Sequence, residues 1–194
     1  KWIVKFYGKI PLNSKNLSAI NKRQFSKVKS IISNSRYQGK IIFGGEVNDE
    51  TQQIEPTLIE LNNQSDSLIQ EELFCPILPI VRIKDLNSAI KIVHKQEKPL
   101  AIYMFGGSKA QQTELLQRTT SGGVCFNDVI IQAAAPELPF GGVGGSGMGS
   151  YHGKAGFENF SHQKSILEKP FWLDLNFRYP PYKLDIELIK KFFN

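Results

Sequence analysis

The sequence predicts an α/β fold built on a parallel sheet. Two observations carry that prediction: short apolar runs recur at residues 77–83, 100–105 and 122–126, and amphipathic stretches at 86–95 and 109–119 fill the intervals between them. Strand, helix, strand, helix, strand at this spacing is the pattern of right-handed crossovers, which lay successive strands parallel. The run at 77–83 carries few polar residues, as expected for a strand buried on both faces.

The elements upstream follow from local pattern. Trp2-Ile-Val-Lys-Phe-Tyr-Gly8 reads as the last turns of a helix stopped by glycine, and a chain that opens on Lys1 without Met is expected to be truncated. Between 21 and 33, Phe25, Val28, Ile31 and Ile32 recur at helical spacing, with Lys22, Arg23, Lys27 and Lys29 opposite, which predicts a surface helix. Residues 40–45 and 56–61 read as strands separated by the polar turn Asn48-Asp-Glu-Thr51. In the tail, 163–168 is expected to form a short edge strand. The prolines of Arg178-Tyr-Pro-Pro-Tyr182 favour extended backbone, and Leu184, Leu188, Ile189, Phe192 and Phe193 make an amphipathic end.

Composition removes several classes of function. Hydrophobic residues make up 41% of 194, enough for one substantial core. The net charge of +6 comes from scattered lysines and arginines without a dense patch, so nucleic acid is not an expected partner. Cys75 and Cys125, with three histidines, form no CxxC or His/Cys cluster; neither a metal site nor a disulfide framework is expected, and reduced thiols point to a cytoplasmic setting. The sequons at Asn16, Asn63 and Asn159 read as chance matches without a signal peptide before them, and no apolar run approaches the roughly 18 residues needed to cross a membrane.

The stretch Leu138-Pro-Phe-Gly-Gly-Val-Gly-Gly-Ser-Gly-Met-Gly-Ser-Tyr-His-Gly153 holds seven of the sixteen glycines. Within it, Gly142-Val-Gly-Gly-Ser-Gly147 matches the G-x-G-x-x-G pattern. That pattern binds dinucleotides only between a buried strand and a helix, and here two prolines precede it. No Gly-Lys-Ser/Thr follows to make a phosphate loop. Phe140, Met148, Tyr151 and His152 instead mark an ordered loop with large anchors. Because ligands of parallel sheets gather at the carboxyl ends of strands, residues 127–131 together with this loop are the expected site region.

The motifs Gln70-Glu-Glu-Leu-Phe-Cys-Pro76, Ser121-Gly-Gly-Val124, Asn127-Asp128, Pro139-Phe-Gly-Gly142, Ser146-Gly-Met-Gly-Ser-Tyr-His-Gly153 and Phe157-Glu-Asn-Phe-Ser-His162 resemble, in order and spacing, the aldehyde dehydrogenases, specifically the class 3 branch that includes the fatty aldehyde enzymes. The resemblance implies the carboxyl-terminal portion of such an enzyme: a partial catalytic domain over 1–160, and an oligomerisation strand and tail over 161–194. The amino-terminal Rossmann domain is absent on this reading. It implies oxidation of aliphatic or aromatic aldehydes to carboxylic acids with NAD or NADP through a cysteine thioester. The nucleophilic cysteine, in a Gly-Gln-Thr-Cys type motif, the general-base glutamate and the oxyanion asparagine all lie upstream in the family, so this chain is expected to be inactive alone.

By the same resemblance Glu72 contacts the nicotinamide ribose and Phe74 packs beside it. Asn127, Ile130, Phe140, Tyr151 and His152 line or support the substrate tunnel. Cys75 stands where relatives usually have glycine, which is expected to strain that position if it needs positive φ and to displace Phe74. A homodimer is implied, and the tail is a candidate for peripheral membrane contact. The rival reading is a non-enzymatic remnant or interaction module that pairs with a full-length partner through the edge strand near Ser165.

Overall fold

The computed structural model describes residues 1–33, 39–62, 67–70, 72–174, 176–182, 187 and 190–191. Of the expected amphipathic end, Leu184, Leu188, Ile189, Phe192 and Phe193 lie outside the described residues. The chain divides into two compact units, Lys1–Asn159 and Phe160–Asn194.

In the first unit, helix α1 (Trp2–Tyr7) ends at Gly8, whose φ of 83° only glycine adopts freely. Helix α2 (Lys22–Ser33) buries Phe25, Val28 and Ile31, the stripe that its 3.6-residue period brings to one side. It packs on a three-stranded mixed sheet of order β1–β4–β5. There β1 (Gly39–Phe43) runs antiparallel to β4 (Thr57–Leu61), and β4 runs parallel to β5 (Ile77–Val81), with Thr57 opposite Ile77 and Leu61 opposite Val81. Ile54, Ile59, Leu61, Leu68 and Ile77 complete this core.

The polar turn at 48–51 is present, but it closes a small hairpin of β2 (Val47–Asn48) and β3 (Gln53–Ile54) between the two predicted strands. Asn48 Oδ1 accepts from the N–H groups of Glu50 and Thr51 at 3.0 and 3.1 Å, the reason an asparagine initiates the turn.

The second half of the unit follows the predicted alternation: α3 (Leu86–Lys95), β6 (Ala101–Met104), α4 (Lys109–Arg118) and β7 (Gly123–Phe126). Asp85 caps α3 by accepting from the Ser88 N–H at 2.8 Å. The Ser88 hydroxyl first and its N–H second hold that carboxylate below the usual aspartate range. Ser108 and Gln111 form a reciprocal capping box on α4. Strands β6 and β7 are parallel, with Ala101 opposite Gly123.

Two expectations need correction. Among the described residues the three apolar runs do not make one continuous sheet: β5 pairs with β4, and β6 with β7. Nor is the run at 77–83 buried on both faces: Ile77 on one face packs on the α2 core, while on the other Leu78 is 59% exposed and Ile80 half-buried. Two short helices absent from the sequence reading, α5 (Ile131–Ala134) and α6 (Gly153–Asn159), follow β7.

In the second unit, residues 162–170 carry no regular structure and are exposed, so the expected edge strand at 163–168 is absent. A strand needs a sheet neighbour for its peptide groups, and this unit offers none among the described residues. Arg178 is not extended either: it closes a 3₁₀ turn at Asn176–Arg178, because proline restricts only the residue just before it, here Tyr179. Lys169 Nζ donates to the Leu173 carbonyl at 2.6 Å, and the Tyr179 hydroxyl donates to Asp174 Oδ1 at 3.3 Å.

Ile90 on α3 is fully buried. Ile90→Ala is expected to cost about 3 kcal/mol of stability, read as a lowered urea midpoint at unchanged m-value, while the exposed Lys91→Ala leaves the midpoint within error.

Candidate functional site

The predicted site residues fall into three groups. The first lies on the approach to β5. One side-chain amide on α2, Gln24 Nε2, donates to the carbonyls of both Leu73 and Phe74, at 2.6 and 3.3 Å. The Pro76 carbonyl accepts from the Thr57 N–H at 2.8 Å and starts the β4–β5 ladder. Between these anchors Phe74 takes a left-handed φ of 46°, and its ring stands 87% exposed, with the exposed Glu72 two residues earlier. Glu71 lies outside the described residues.

The strain expected at Cys75 is absent; the left-handed residue is Phe74 itself. Cys75 is half-buried against the core, and burial pushes its thiol above the ordinary range, partly offset by the Ile77 N–H and the Lys27 charge. A thiol shifted this way is a poor nucleophile.

The second group sits at the carboxyl ends of β6 and β7. Asn127, with φ 61°, accepts the Gly106 N–H on its Oδ1 at 2.7 Å and donates its own N–H to the Met104 carbonyl at 2.8 Å. It thereby ties together the loops leaving both strands. Ile130 holds a left-handed φ of 67° at the start of α5 with its side chain 65% exposed; for a β-branched residue this is a strained conformation.

The third group is an aromatic cluster. Phe140 and Tyr151 exchange two backbone hydrogen bonds, each 2.9 Å, which close the glycine loop at its neck. Their rings meet edge to face at 5.6 Å between centroids. His152 lies 4.3 Å from Tyr151 and stacks on Phe140 at 6.0 Å. His152 has φ 85°, its carbonyl accepts from the Gly156 N–H at 3.0 Å, and its buried Nδ1 has no partner.

The glycine loop does not join the second group at the carboxyl strand ends. A Cβ on Gly122, which precedes β7, would lie 2.1 Å from the Gly141 carbonyl oxygen and 2.6 Å from that of Leu100, and one on Gly145 would lie 2.8 Å from Glu97 Oε2. The loop is thus packed backbone on backbone at the amino ends of β6 and β7. Within it the Ser146 N–H donates to the Val143 carbonyl at 3.4 Å, the Gly147 N–H to that of Gly144 at 3.2 Å, and the Val143 N–H to the Ser146 hydroxyl at 2.9 Å. Among the described residues no group of His, Cys, Asp or Glu could hold a metal ion, and no helix is long and apolar enough to cross a membrane.

Besides the Gln24 contacts, a second polar contact has no counterpart in the sequence pattern: Gln132 Nε2 donates to the Tyr103 hydroxyl at 3.1 Å while Gln132 Oε1 stays buried and unpartnered. No sequence signal marks it, because α5 is only one turn long.

The first unit is an α/β arrangement that places Glu72 and Phe74 ahead of β5 and folds a glycine loop back on the amino ends of β6 and β7. The sequence profile of the aldehyde dehydrogenase family matches residues 13–166, and the chain belongs to that family. It is 42% identical over 181 residues to aldehyde dehydrogenase family 3 member F1 of Arabidopsis thaliana, covering 93% of this chain and 37% of that protein. It is 37% identical over 194 residues to the 4,4'-diaponeurosporen-aldehyde dehydrogenase of Staphylococcus aureus, covering 100% and 42%.

The solved substrate-bound state of Staphylococcus aureus AldH superposes with a TM-score of 0.80 at 36% identity, over 100% of this chain and 42% of that one. The Mycobacterium tuberculosis aldehyde dehydrogenase complexed with NAD+ superposes at 0.69 and 26% identity, over 78% and 32%. The chain therefore spans about two fifths of the length of the curated relatives it matches.

Two outcomes test this geometry. Gly122→Ala is expected to cost about 1–3 kcal/mol and to raise amide exchange across 140–151, since the Gly141 carbonyl must move; Gly123→Ala, whose Cβ meets only the Gln132 side chain at 3.8 Å, leaves that exchange unchanged. Alkylation of Cys75 by iodoacetamide is expected to take off only above the pH at which a free thiol reacts. The stability gained by keeping this thiol neutral is complete below the ordinary thiol range and is lost as pH rises through its elevated value.

Proposed function

We propose that this chain supplies the cofactor-ribose contact and part of the substrate tunnel of a family 3 aldehyde dehydrogenase that oxidises aliphatic or aromatic aldehydes to carboxylic acids with NAD or NADP through a cysteine thioester. The observation that carries the reading is the exposed Glu72 carboxylate beside the exposed, left-handed Phe74 ring, both on a segment fixed from behind by Gln24.

That donor set suits a nicotinamide nucleoside. A carboxylate accepts from both vicinal ribose hydroxyls, and an aromatic face covers a sugar or a planar ring. When bound, the nicotinamide supplies the hydride acceptor. Glu72 fixes the ribose and Phe74 limits its tilt, which aligns the ring for transfer without entering the chemistry.

In this reading Asn127 and Ile130, at the carboxyl strand ends, line the tunnel, and Phe140, Tyr151 and His152, at the amino ends, support the loop that shapes that tunnel. Its apolar and aromatic character favours a long or bulky aldehyde by excluding water. The polyene aldehyde in the name of the staphylococcal relative fits that preference. Neither Cys75 nor Cys125 stands in a Gly-Gln-Thr-Cys type motif, so the nucleophile, the general-base glutamate and the oxyanion asparagine belong to the part of the family sequence outside these 194 residues. A homodimer joined through 162–170 and a peripheral membrane contact by the tail are supported by the exposure of Ile166, Leu167, Phe171 and Trp172, and the two free thiols suit a cytoplasmic setting.

In an enzyme containing this segment, Glu72→Gln is expected to lower kcat about tenfold or more, with the aldehyde KM little changed. Unchanged turnover removes Glu72 from the site. The purified 194-residue chain is expected to form no NADH or NADPH from nonanal or benzaldehyde, and detectable formation overturns the assignment of the nucleophile elsewhere.

A further inference from the structure

Helix α1 buries none of its residues. Ile3 and Tyr7, one turn apart on one face, are its half-buried pair. Trp2 and Phe6 lie beside them around the helix, 62% and 59% exposed, and Lys5 comes next, so an aromatic stripe borders a cationic one. The two rings stack at 6.3 Å between centroids. Lys5 Nζ sits 4.7 Å from the Trp2 ring centre and 5.7 Å from that of Phe6. Just after the helix, Lys9 and Ile10 are exposed as well. The stripe is fixed in place: Asn16 Nδ2 donates to the Phe6 carbonyl at 2.9 Å. The loop that carries Asn16 is tied to the β2–β3 hairpin by the Ile20 N–H on the Gln52 carbonyl at 3.0 Å and Gln53 Nε2 on that of Leu17 at 2.7 Å.

Charge is distributed to match. The lysines and arginines are spread along the sequence, but the carboxylates are not: residues 1–45 hold ten Lys and Arg and no Asp or Glu, against fourteen and eighteen in the remainder. The field around α1 is therefore of one sign, with no carboxylate of its own segment to offset it.

We propose that α1 and the residues just after it form a contact for the surface of a bilayer that carries anionic lipids. Trp2, Phe6 and Ile10 enter the headgroup boundary, and Lys1, Lys5 and Lys9 pair with lipid phosphates. The position of Lys5 separates a lipid surface from an apolar protein partner. A protein surface laid over the two rings buries the ammonium with them, at a cost that only a new counter-charge relieves. At a headgroup boundary the rings and the cation each meet their own surroundings, acyl chain below and phosphate beside, without rearrangement. The contact belongs to the first unit, whereas the tail belongs to the second, and it needs nothing from the reaction.

The two tryptophans of the chain, Trp2 and Trp172, report the two units separately. The intact chain is prepared as Trp172→Phe and as Trp2→Phe, and each form is titrated with vesicles of phosphatidylcholine alone and of phosphatidylcholine and phosphatidylglycerol in equal parts. With Trp2 as reporter, the expected result is a blue shift of emission and quenching by brominated acyl chains on the anionic vesicles, and neither on phosphatidylcholine alone. Lys5→Gln and Lys9→Gln are each expected to lower the partition coefficient about fivefold, while Lys109→Gln, at an exposed lysine of α4, leaves it unchanged. The proposal is overturned if the Trp2 emission does not move, if phosphatidylcholine alone moves it equally, or if Lys5→Gln and Lys9→Gln leave the partition coefficient unchanged. It is also overturned if polyglutamate or RNA moves the Trp2 emission as far as the vesicles do, which makes the face a site for an acidic macromolecule. A shift at Trp172 alone supports a membrane contact by the tail and overturns this one. Aldehyde oxidation by an assembled enzyme bears on the proposed function and leaves these emission results unaffected.

Discussion

The carbonyl oxygens of Leu100 and Gly141 occupy the place where a side chain at Gly122 would begin, and the arrangement of the aromatic cluster follows from that close approach. Because Gly122 has no Cβ, the glycine loop can lie flat on the amino ends of β6 and β7. Its neck then closes through the paired backbones of Phe140 and Tyr151, and the neck brings Phe140, Tyr151 and His152 into one cluster. Gly142 and Gly149 repeat the device inside the loop, against the Ser146 carbonyl and the Asn159 side chain. The loop is a packed solid made of backbone, and its glycines serve contact more than mobility.

Four candidate site residues, Phe74, Asn127, Ile130 and His152, hold left-handed backbone, at a cost of order 1 kcal/mol or more each for the larger side chains. Each is anchored by a hydrogen bond. Gln24 grips Phe74 from behind, Gly106 donates to the Asn127 side chain, the Ala133 N–H donates to the Ile130 carbonyl at 2.7 Å, and the Gly156 N–H donates to the His152 carbonyl. Strain concentrated at the residues that resemblance assigns to ligand contact is the pattern of positions fixed for function.

The local part of the fold was legible. Helices α2, α3 and α4 fall within a residue or two of their predicted bounds, because a 3.6-residue apolar stripe and a capping residue are written in consecutive positions. What the sequence could not show was non-local. Nothing in the runs at 77–83 and 100–105 says that they are not neighbours, and an apolar run looks the same whether its second face is covered or, as at Leu78, open. The glycine loop was assigned to the wrong ends of the strands, because the rule that ligands gather at carboxyl ends does not say where a loop returns after α5. In the site, Glu72 and Phe74 were found by resemblance. The grip of Gln24, 49 residues from Leu73, has no local signature.

That grip has an entropic consequence. One amide holds the two carbonyls that flank the turn at Phe74, so the backbone beneath the ring is immobilised before any ligand arrives, while the ring face stays open to solvent. A sugar that docks there orders almost no additional chain, and the free energy of its contacts goes into affinity and alignment instead of into stiffening a loop.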